Sequence, residues 1–354
     1  MKNDTLTDLI ARITPLDTGA MQSARLRQGR LTKPAGSLGL LEELSIQVAG
    51  ITGDPRPRLQ HKLALVMAGD HGVAAEGVSA YPQAVTQQMV YNFLNGGAAV
   101  NVLARHVGVR LQIVDMGVAA DLQPHPNLLV RKIAYGTQNI ALGPAMSRAQ
   151  AIQSLLAGAE VFEAQLAQGA DILATGDMGI GNTTPSAAIA AAFTGRPVPE
   201  ITGRGTGIDN AGFQRKITAI QRALEANQPD PADGLDVLAR VGGFEIGGLA
   251  GAILAAAANS RPVVIDGYIS TAAAMIAASL APQVRHYLIA AHSSLERGHH
   301  LMLNWLQARP LLDLQMRLGE GTGAVLAVSL VEAACKILSE MATFTEAGVS
   351  DRES

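Results

Sequence analysis

Short apolar segments alternate with longer segments of helical periodicity along most of this chain. About six runs rich in Val, Ile and Leu have the length of buried strands. Segment 147–168, which lies between two of these runs, places Leu155, Ala159 and Phe162 on one apolar face of a helix. Such alternation is typical of βαβ units and a mostly parallel sheet. The predicted strands are residues 63–68, 111–114, 128–133, 172–174, 262–265 and 287–290.

Both ends of the chain have helical patterns but no strand pattern. We therefore predict an α/β fold with a Rossmann-like, mostly parallel sheet that carries helices on both faces. Residues 61–324 are expected to form this domain, which would be the catalytic one. Residues 1–60 and 325–354 are expected to form a small helical subdomain. Pro55 and Pro57 mark the predicted entry into the sheet domain, and glycines 321 and 323 mark its exit.

The amino-acid composition excludes several classes of protein. Of the 354 residues, 48% are hydrophobic and only 16% are charged, which excludes a largely disordered chain. The net charge is −3, there is no basic tract, and aromatic residues make up 3%, so neither the charge nor the stacking surface of a nucleic-acid-binding protein is present. We expect no nucleic-acid partner.

The compartment is predicted from cysteine use and from apolar run length. Cys335 is the single cysteine, so no intramolecular disulfide and no thiolate zinc site is expected. The longest apolar run, 246–258, is shorter than the ~18 residues of a membrane span, and residues 1–10 lack the apolar stretch of a signal peptide. These features predict a cytoplasmic protein without membrane association.

Glycines, hydroxyl residues and acids follow the predicted strands, at the sheet edge where open parallel sheets bind ligands. The richest of these segments is 176–184, which could form an anion site with backbone N–H groups of Gly179, Gly181 and Asn182 facing a phosphate. A threonine would cap the following helix and Pro185 would take its first position. An ordinary glycine turn explains the same pattern. The other strand endings are residues 69–72, 115–117, 266–268 and 292–294.

Two interpretations remain open for each of three further segments. Glycines 203, 205 and 207 precede a helix that carries Arg215 and Lys216. A solvated surface position is favoured for Arg215, whereas Lys216 fits a surface position and a phosphate site equally well. Glu320 lies between glycines and is either a solvent-facing acid at a helix N-terminus or a desolvated general base. Residues 77–83, with Gln88 and Met89 beyond them, suit a flat heteroaromatic ligand or are an ordinary loop.

No metal centre and no cysteine nucleophile are expected. His71 and the pair His299 and His300 lack both metal-ligand spacing and a thiolate partner. Cys335 falls on the apolar stripe of the last helix and is expected to pack in the core.

Five motifs together resemble the nicotinate-nucleotide:dimethylbenzimidazole phosphoribosyltransferase family, and the resemblance runs nearly end to end. It implies transfer of a 5-phosphoribosyl group from nicotinate mononucleotide to 5,6-dimethylbenzimidazole, which gives alpha-ribazole 5'-phosphate and nicotinate during assembly of the cobalamin nucleotide loop. It also implies a homodimer that needs no cofactor and no metal. The motifs are residues 31–39 (LTKPAGSLG), 68–72 (AGDHG), 78–83 (VSAYPQ), 179–184 (GIGNTT) and 317–323 (RLGEGTG).

The resemblance also implies roles for individual residues. Glu320 matches the general base of the family. This chain has Asp177 where the family usually has glutamate, so the reach of that carboxylate differs. The residues matched to the phosphate and ribose are Asp177, Gly179, Gly181, Asn182, Lys216 and Ser293. The residues matched to the benzimidazole are Ser79, Tyr81, Gln88, Met178 and Leu318.

Two other functions fit parts of the pattern. A nicotinamide-dependent oxidoreductase also uses glycine turns at this sheet edge, although no clean dinucleotide fingerprint follows the first predicted strand. A non-catalytic module that senses a nucleotide or a benzimidazole would bind without releasing nicotinate.

Overall fold

The computed structural model of the chain describes residues 5–350, and its centre is a sheet of seven parallel strands. The strand order across the sheet is β3-β2-β1-β4-β5-β6-β7. The strands are β1 Lys62–Gly69, β2 Arg110–Gly117, β3 Leu128–Val130, β4 Ile172–Met178, β5 Val263–Ile265, β6 Leu288–His292 and β7 Pro310–Leu312.

Helices connect these strands and precede and follow the sheet. The helices before β4 are α1 Leu6–Ala11, α2 Thr18–Gln28, α3 Leu40–Thr52, α4 Ala84–Leu94, α5 Ala99–Val107 and α6 Arg148–Leu166. Those after β4 are α7 Thr183–Thr194, α8 Val198–Ile201, α9 Asn210–Asn227, α10 Gly234–Val241, α11 Phe244–Ala258, α12 Tyr268–Leu280, α13 His299–Leu306, α14 Thr322–Glu340 and α15 Phe344–Ala347. Short 3-10 turns span Gly72–Glu76 and Pro282–Tyr287.

The sheet separates two hydrophobic cores because side chains alternate along each strand. In β1, Leu63, Leu65 and Met67 face one core, and Ala64 and Val66 face the other. Helices α6, α7, α11 and α12 contribute to the first core, and helices α3, α4, α5 and α14 contribute to the second. The sheet is therefore covered on both faces, as the near-continuous apolar strands require.

Helices α6 and α11 approach so closely that glycine is required at their contact. A Cβ at Gly158 of α6 would overlap the backbone carbonyl of Gly248 in α11, and a Cβ at Gly251 would overlap the carbonyl of Leu155. All fifteen residues of α11 are buried except Ala258 at its end. The apolar run 246–258 is thus a buried helix, as predicted.

The predicted fold class is confirmed, but several strand bounds differ. Strands β2 and β4 continue to Gly117 and Met178, beyond their predicted ends at 114 and 174. Strand β3 is shorter than predicted because the chain leaves the sheet after Val130, although the N–H groups of Arg131 and Ile133 still donate to carbonyls of β2. Strand β7 was missed because it has three residues at the sheet edge and begins with proline, which removes the usual strand signal. The helix predicted at 147–168 is α6, which Ser147 caps.

Helix α14 links the two ends of the chain to the sheet. It packs against β4, β5 and β6, and also against α3 and α5. By length and composition it is the one helix among residues 5–350 that could cross a membrane, and a buried core helix meets the same criteria. The proposed division into 61–324 and a subdomain of 1–60 with 325–354 stays a prediction; residues 1–4 and 351–354 of that subdomain lie outside the described part.

The contact between α6 and α11 gives a stability test. Gly158→Ala should lower the free energy of unfolding by about 1–3 kcal/mol, because the added methyl group forces two tightly packed backbones apart. Gly143→Ala is the matched control, since no atom lies within 4 Å of a Cβ placed there. Urea denaturation followed by circular dichroism measures both, and equal midpoints for the two variants would contradict the packing argument.

Candidate active site

The order in which successive strands join the sheet reverses between β1 and β4. Open α/β sheets bind ligands beside such a point, beyond the carboxyl ends of the strands. A cavity of about 520 Å³ lies there, against the ends of β4, β5 and β6. Its lining consists of Tyr81, Asp177, Met178, Gly179, Ile180, Asn182, Thr183, Gly205, Thr206, Gly267, Tyr268, Ile269, His292, Ser294, Glu296, Arg317, Leu318, Gly319 and Glu320.

The structure brings seven of the twelve predicted site residues to this cavity: Tyr81, Asp177, Met178, Gly179, Asn182, Leu318 and Glu320. Two others lie one contact away, because the Ser79 hydroxyl is 3.3 Å from the Thr206 hydroxyl and the Lys216 amine donates to the Thr183 hydroxyl. Gly181 is in the loop next to the lining, and Gln88 is an exposed residue of α4. Ser293 is not in the lining; its backbone N–H donates to β7, and Ser294 faces the cavity instead.

Several lining residues were not assigned to the site from sequence. Thr206 and Tyr268 belong to segments that were noted as a second glycine set and as a strand ending, so a weak signal existed for them. Arg317 opens the motif 317–323 but was given no role, and Glu296 had no signal at all, because an isolated charged residue in a loop is ordinarily at the surface. Glu296 is only 7% exposed, and its Oε2 atom is buried without a hydrogen-bond partner.

The glycine loop after β4 is held against the end of β1. A Cβ at Gly179 would overlap the carbonyl oxygen of Gly69, so this position cannot carry a side chain without moving the loop. One predicted anion donor is already used, because the Asn182 N–H donates to the Gly179 carbonyl at 3.1 Å. The capping prediction was also wrong: helix α7 begins at Thr183, no side chain caps it, and Pro185 is its third residue rather than its first.

Lys216 is a buried cation beside the cavity. Its side chain is 0% exposed, and its amine donates to the hydroxyl of Thr183 at 2.6 Å. Burial lowers the pKa of Lys216 to about 8, and the charge of Glu296 opposes this shift. The surface alternative for Lys216 is therefore wrong, whereas Arg215 is exposed and its guanidinium donates only a long bond to the carbonyl of Gly77.

Glu320 occupies a strained position at the cavity. Its φ angle is +64°, and its neighbours Gly319 and Gly321 have φ angles of +81° and +90°. The side chain is 8% exposed and its Oε2 atom is buried without a partner. Burial, together with the charge of Asp266, raises the pKa of Glu320 to about 7. Of the two alternatives left by the sequence, the structure supports the desolvated carboxyl.

Asp177 is a second buried carboxyl at the same cavity. Its Oδ2 atom accepts a hydrogen bond of 2.9 Å from the Asn182 side-chain amide. Burial, and after it the charge of Asp266, raises the pKa of Asp177 well above its ordinary value. Burial thus favours the neutral form at this position as well as at Glu320.

Metal ligands and thiol nucleophiles do not gather at the cavity. Within residues 5–350 no group of three or more His, Cys, Asp and Glu side chains has an arrangement that could hold a metal ion. Cys335 is buried in α14, and burial raises the pKa of its thiol to about 12, which makes it a packing residue.

Comparisons with known proteins agree along nearly the whole chain. A family model described as phosphoribosyltransferase matches residues 13–349. A nicotinate-nucleotide–dimethylbenzimidazole phosphoribosyltransferase of Roseiflexus sp. (strain RS-1) is 63% identical over 347 residues, covering 98% of each chain. The chain belongs to the nicotinate-nucleotide–dimethylbenzimidazole phosphoribosyltransferase family. The resemblance drawn from the five sequence motifs is thereby confirmed.

More distant members of the phosphoribosyltransferase family match over the same length. A protein of the same name from Geobacter sulfurreducens is 54% identical over 346 residues, covering 98% of each chain. The crystal structure of CobT from Thermus thermophilus superimposes with a TM-score of 0.91 at 49% identity, covering 94% of this chain and 99% of that chain. This membership identifies the chain as a pentosyltransferase. It therefore favours group transfer over the two alternatives, the oxidoreductase and the non-catalytic binding module.

The burial of Lys216 predicts a pH dependence of stability. The folded-state pKa of about 8 lies below the 10.5 of an ordinary lysine, so between these values the unfolded chain binds one proton more than the folded chain. This proton contributes a rise in the free energy of unfolding with pH, at most ~1.4 kcal/mol per pH unit. Lys216→Met should lack this contribution, as urea titrations at a series of pH values would measure.

Lys336→Met is the control for this pH dependence. Lys336 is exposed, and its hydrogen bond with Glu332 raises its pKa, so its removal should leave the slope between pH 8 and 10.5 unchanged. Equal slopes for the wild type and Lys216→Met would contradict the burial of a charged amine.

Proposed function

We propose that this chain transfers the 5-phosphoribosyl group of nicotinate mononucleotide to 5,6-dimethylbenzimidazole, in the assembly of the cobalamin nucleotide loop. The products are alpha-ribazole 5'-phosphate and nicotinate. The observation that carries the proposal is Glu320, a carboxyl group with a pKa of about 7 at the wall of the cavity. A base with a pKa near the working pH combines an available ionised form with useful proton affinity.

The reaction is a single displacement at the anomeric carbon of the ribose. A ring nitrogen of the benzimidazole forms a bond to this carbon while the bond to the nicotinate nitrogen breaks. The electron pair of the broken bond neutralises the positive pyridinium ring, so the leaving group needs no acid. Attack from the opposite face converts the β-linked donor into an α-linked product, and no protein nucleophile takes part.

Glu320 removes the proton that the attacking nitrogen heterocycle loses. The carboxylate form accepts this proton as the new bond forms, and general base catalysis of this kind contributes typically ~10²- to 10⁴-fold. Holding both rings and the ribose in line supplies the larger part of the rate enhancement.

The cavity lining combines polar groups with apolar side chains, and this combination supports a proposed orientation of the substrates. Gly179, Gly181 and Asn182, with Lys216 behind Thr183, provide polar groups and a positive charge for the phosphate and ribose. Ser293 is proposed here with them, although Ser294 is the serine that lines the cavity. Tyr81, Met178 and Leu318 provide the apolar surface for the benzimidazole. Ser79 and Gln88 are proposed at its edge.

Asp177 is proposed to position the ribose or the base. Its carboxyl is one methylene shorter than the glutamate that is usual in the family, and it is turned toward Asn182.

The chain is further proposed to act as a homodimer in the cytoplasm. Its single cysteine is buried and unpaired, which fits a reducing compartment. Sedimentation velocity would measure the oligomeric state, and a monomer at micromolar concentration would contradict the homodimer.

Product analysis tests the proposed reaction directly. Purified protein incubated with nicotinate mononucleotide and 5,6-dimethylbenzimidazole, without added metal, should release nicotinate and alpha-ribazole 5'-phosphate in equal amounts. Chromatography follows both products. Nicotinate without the ribotide would mean that water is the acceptor, and a folded protein that releases neither product would contradict the proposal.

The role of Glu320 is tested by the isosteric variant Glu320→Gln. Its kcat should fall by about 10²- to 10⁴-fold, because the amide cannot accept the proton. In the wild type, kcat/KM should decline as the pH falls through about 7, where the base becomes protonated. Glu320→Gln should show no such decline. Glu340→Gln, at the exposed C-terminal end of helix α14, is the control and should behave as the wild type.

A further inference from the structure

Asp266 lies directly after strand β5 and contacts the start of helix α14. Its Oδ2 atom accepts a hydrogen bond of 3.1 Å from the Gly321 N–H, and its Oδ1 atom accepts one of 2.8 Å from the Ala324 N–H. The first N–H groups of a helix need acceptors from outside the helix, and Gly321 at the N-cap has no side chain to supply one. Asp266 therefore caps α14 from another element of the fold.

This cap fixes the backbone on one side of Glu320. Glu320 immediately precedes Gly321, and its positive φ angle of +64° is one that residues other than glycine rarely adopt. On the other side, the Glu320 carbonyl lies against Gly176, where a Cβ would be 2.5 Å from its oxygen. Glu320 is thus held between strand β4 and the carboxylate of Asp266, in a conformation that the local sequence does not favour.

Asp266 is itself enclosed. It is 1% exposed, and His292 at the end of β6 places its Nε2 atom 3.7 Å from Oδ1 of Asp266. The imidazole ring of His292 also contacts the first turn of α14, where a Cβ at Gly323 would overlap it. Together with the two hydrogen bonds, this enclosure holds the Asp266 carboxylate toward the N-terminus of α14.

We propose that Asp266 is a positioning residue for the proton transfer, acting through the backbone of residues 320–324 and through its negative charge on Glu320. This inference rests on the proposed function of Glu320 as the base. Asp266 is absent from the cavity lining, so it contributes no contact to the substrates.

The charge of Asp266 gives the proposal a signature that a purely structural role lacks. After burial, its charge is what raises the pKa of Glu320, because a neighbouring carboxylate disfavours a second one. Removing that charge should therefore lower the pKa of Glu320. The other titratable or charged groups around the cavity are Asp177 on β4, Lys216 on α9, Tyr268 on α12, His292 on β6, and Tyr81, Glu296 and Arg317 in the loops.

The variant Asp266→Asn tests both effects, since it keeps the shape of the side chain but removes its charge and one acceptor. We expect kcat to fall by roughly 10- to 100-fold, as a displaced base would cause, with little change in KM for nicotinate mononucleotide. We also expect the decline of kcat/KM on the acid side to move to lower pH than in the wild type. Steady-state kinetics from pH 5 to 9, about two units on either side of the pKa of about 7, measure both effects.

Asp233→Asn is the matched control. Asp233 caps helix α10 with the same kind of bonds, from the N–H groups of Leu235 and Asp236, and does not line the cavity. It should lower thermal stability without changing kcat or the pH profile. The proposal is overturned if Asp266→Asn keeps wild-type kcat, or if kcat falls while the acid decline stays at its wild-type pH.

A second variant keeps the proposal testable if Asp266→Asn does not fold. If circular dichroism shows that Asp266→Asn is unfolded, Asp266→Glu keeps the charge but displaces the carboxylate. Asp266→Glu should reduce kcat, while kcat/KM should still decline at the same acid pH as in the wild type. A wild-type kcat for this variant would overturn the proposal. An inactive wild-type enzyme would contradict the proposed function instead, so the two failures are distinguishable.

Discussion

The contact of strand β4 with the loop before α14 is the constraint on which the site depends. At Gly176 the two backbones meet without a side chain between them, so the Glu320 carbonyl can rest on the strand. Larger residues at this position would push the loop, and Glu320 with it, away from the cavity. The glycines at 319 and 321 allow the chain to turn sharply on either side of the glutamate. Catalytic geometry here is therefore set by backbone packing more than by side-chain contacts.

Burial of several acidic groups at one sheet edge requires compensation, because a desolvated carboxylate is costly unless it is paired or hydrogen-bonded. The fold supplies a different partner to each. Asp266 accepts hydrogen bonds from N–H groups at the start of α14, and Asp177 accepts one from the side-chain amide of Asn182. Glu245 is 2.7 Å from Nε2 of His71. Burial lowers the pKa of His71, but the charge and hydrogen bond of Glu245, with a smaller contribution from Asp70, outweigh burial and raise this pKa.

Glu320 differs from Asp177, Asp266 and Glu245 because, within residues 5–350, its carboxyl group has no hydrogen-bond partner, whereas each of theirs has at least one. The lack of a partner keeps its proton affinity high, which a structural carboxylate would not need. The strain of a positive φ angle and the uncompensated burial both reduce stability locally, and they are placed at the one residue where a raised pKa serves the chemistry. Close packing elsewhere, as in the contact between α6 and α11, offsets this local loss of stability.

The parallel α/β fold, the buried helix at 246–258 and the glycine loops at the carboxyl edge were predictable from the amino-acid pattern, because hydrophobic periodicity and glycine clusters are local signals. The same pattern led to Glu320, whose motif is distinctive. The burial of Lys216, the orientation of Ser294 rather than Ser293 toward the cavity, and the positions of Glu296 and Arg317 in its lining became known from the folded chain alone. Burial and side-chain direction depend on contacts between segments far apart in the chain, such as Asp266 with α14 or Gly176 with Glu320, and no local pattern encodes them.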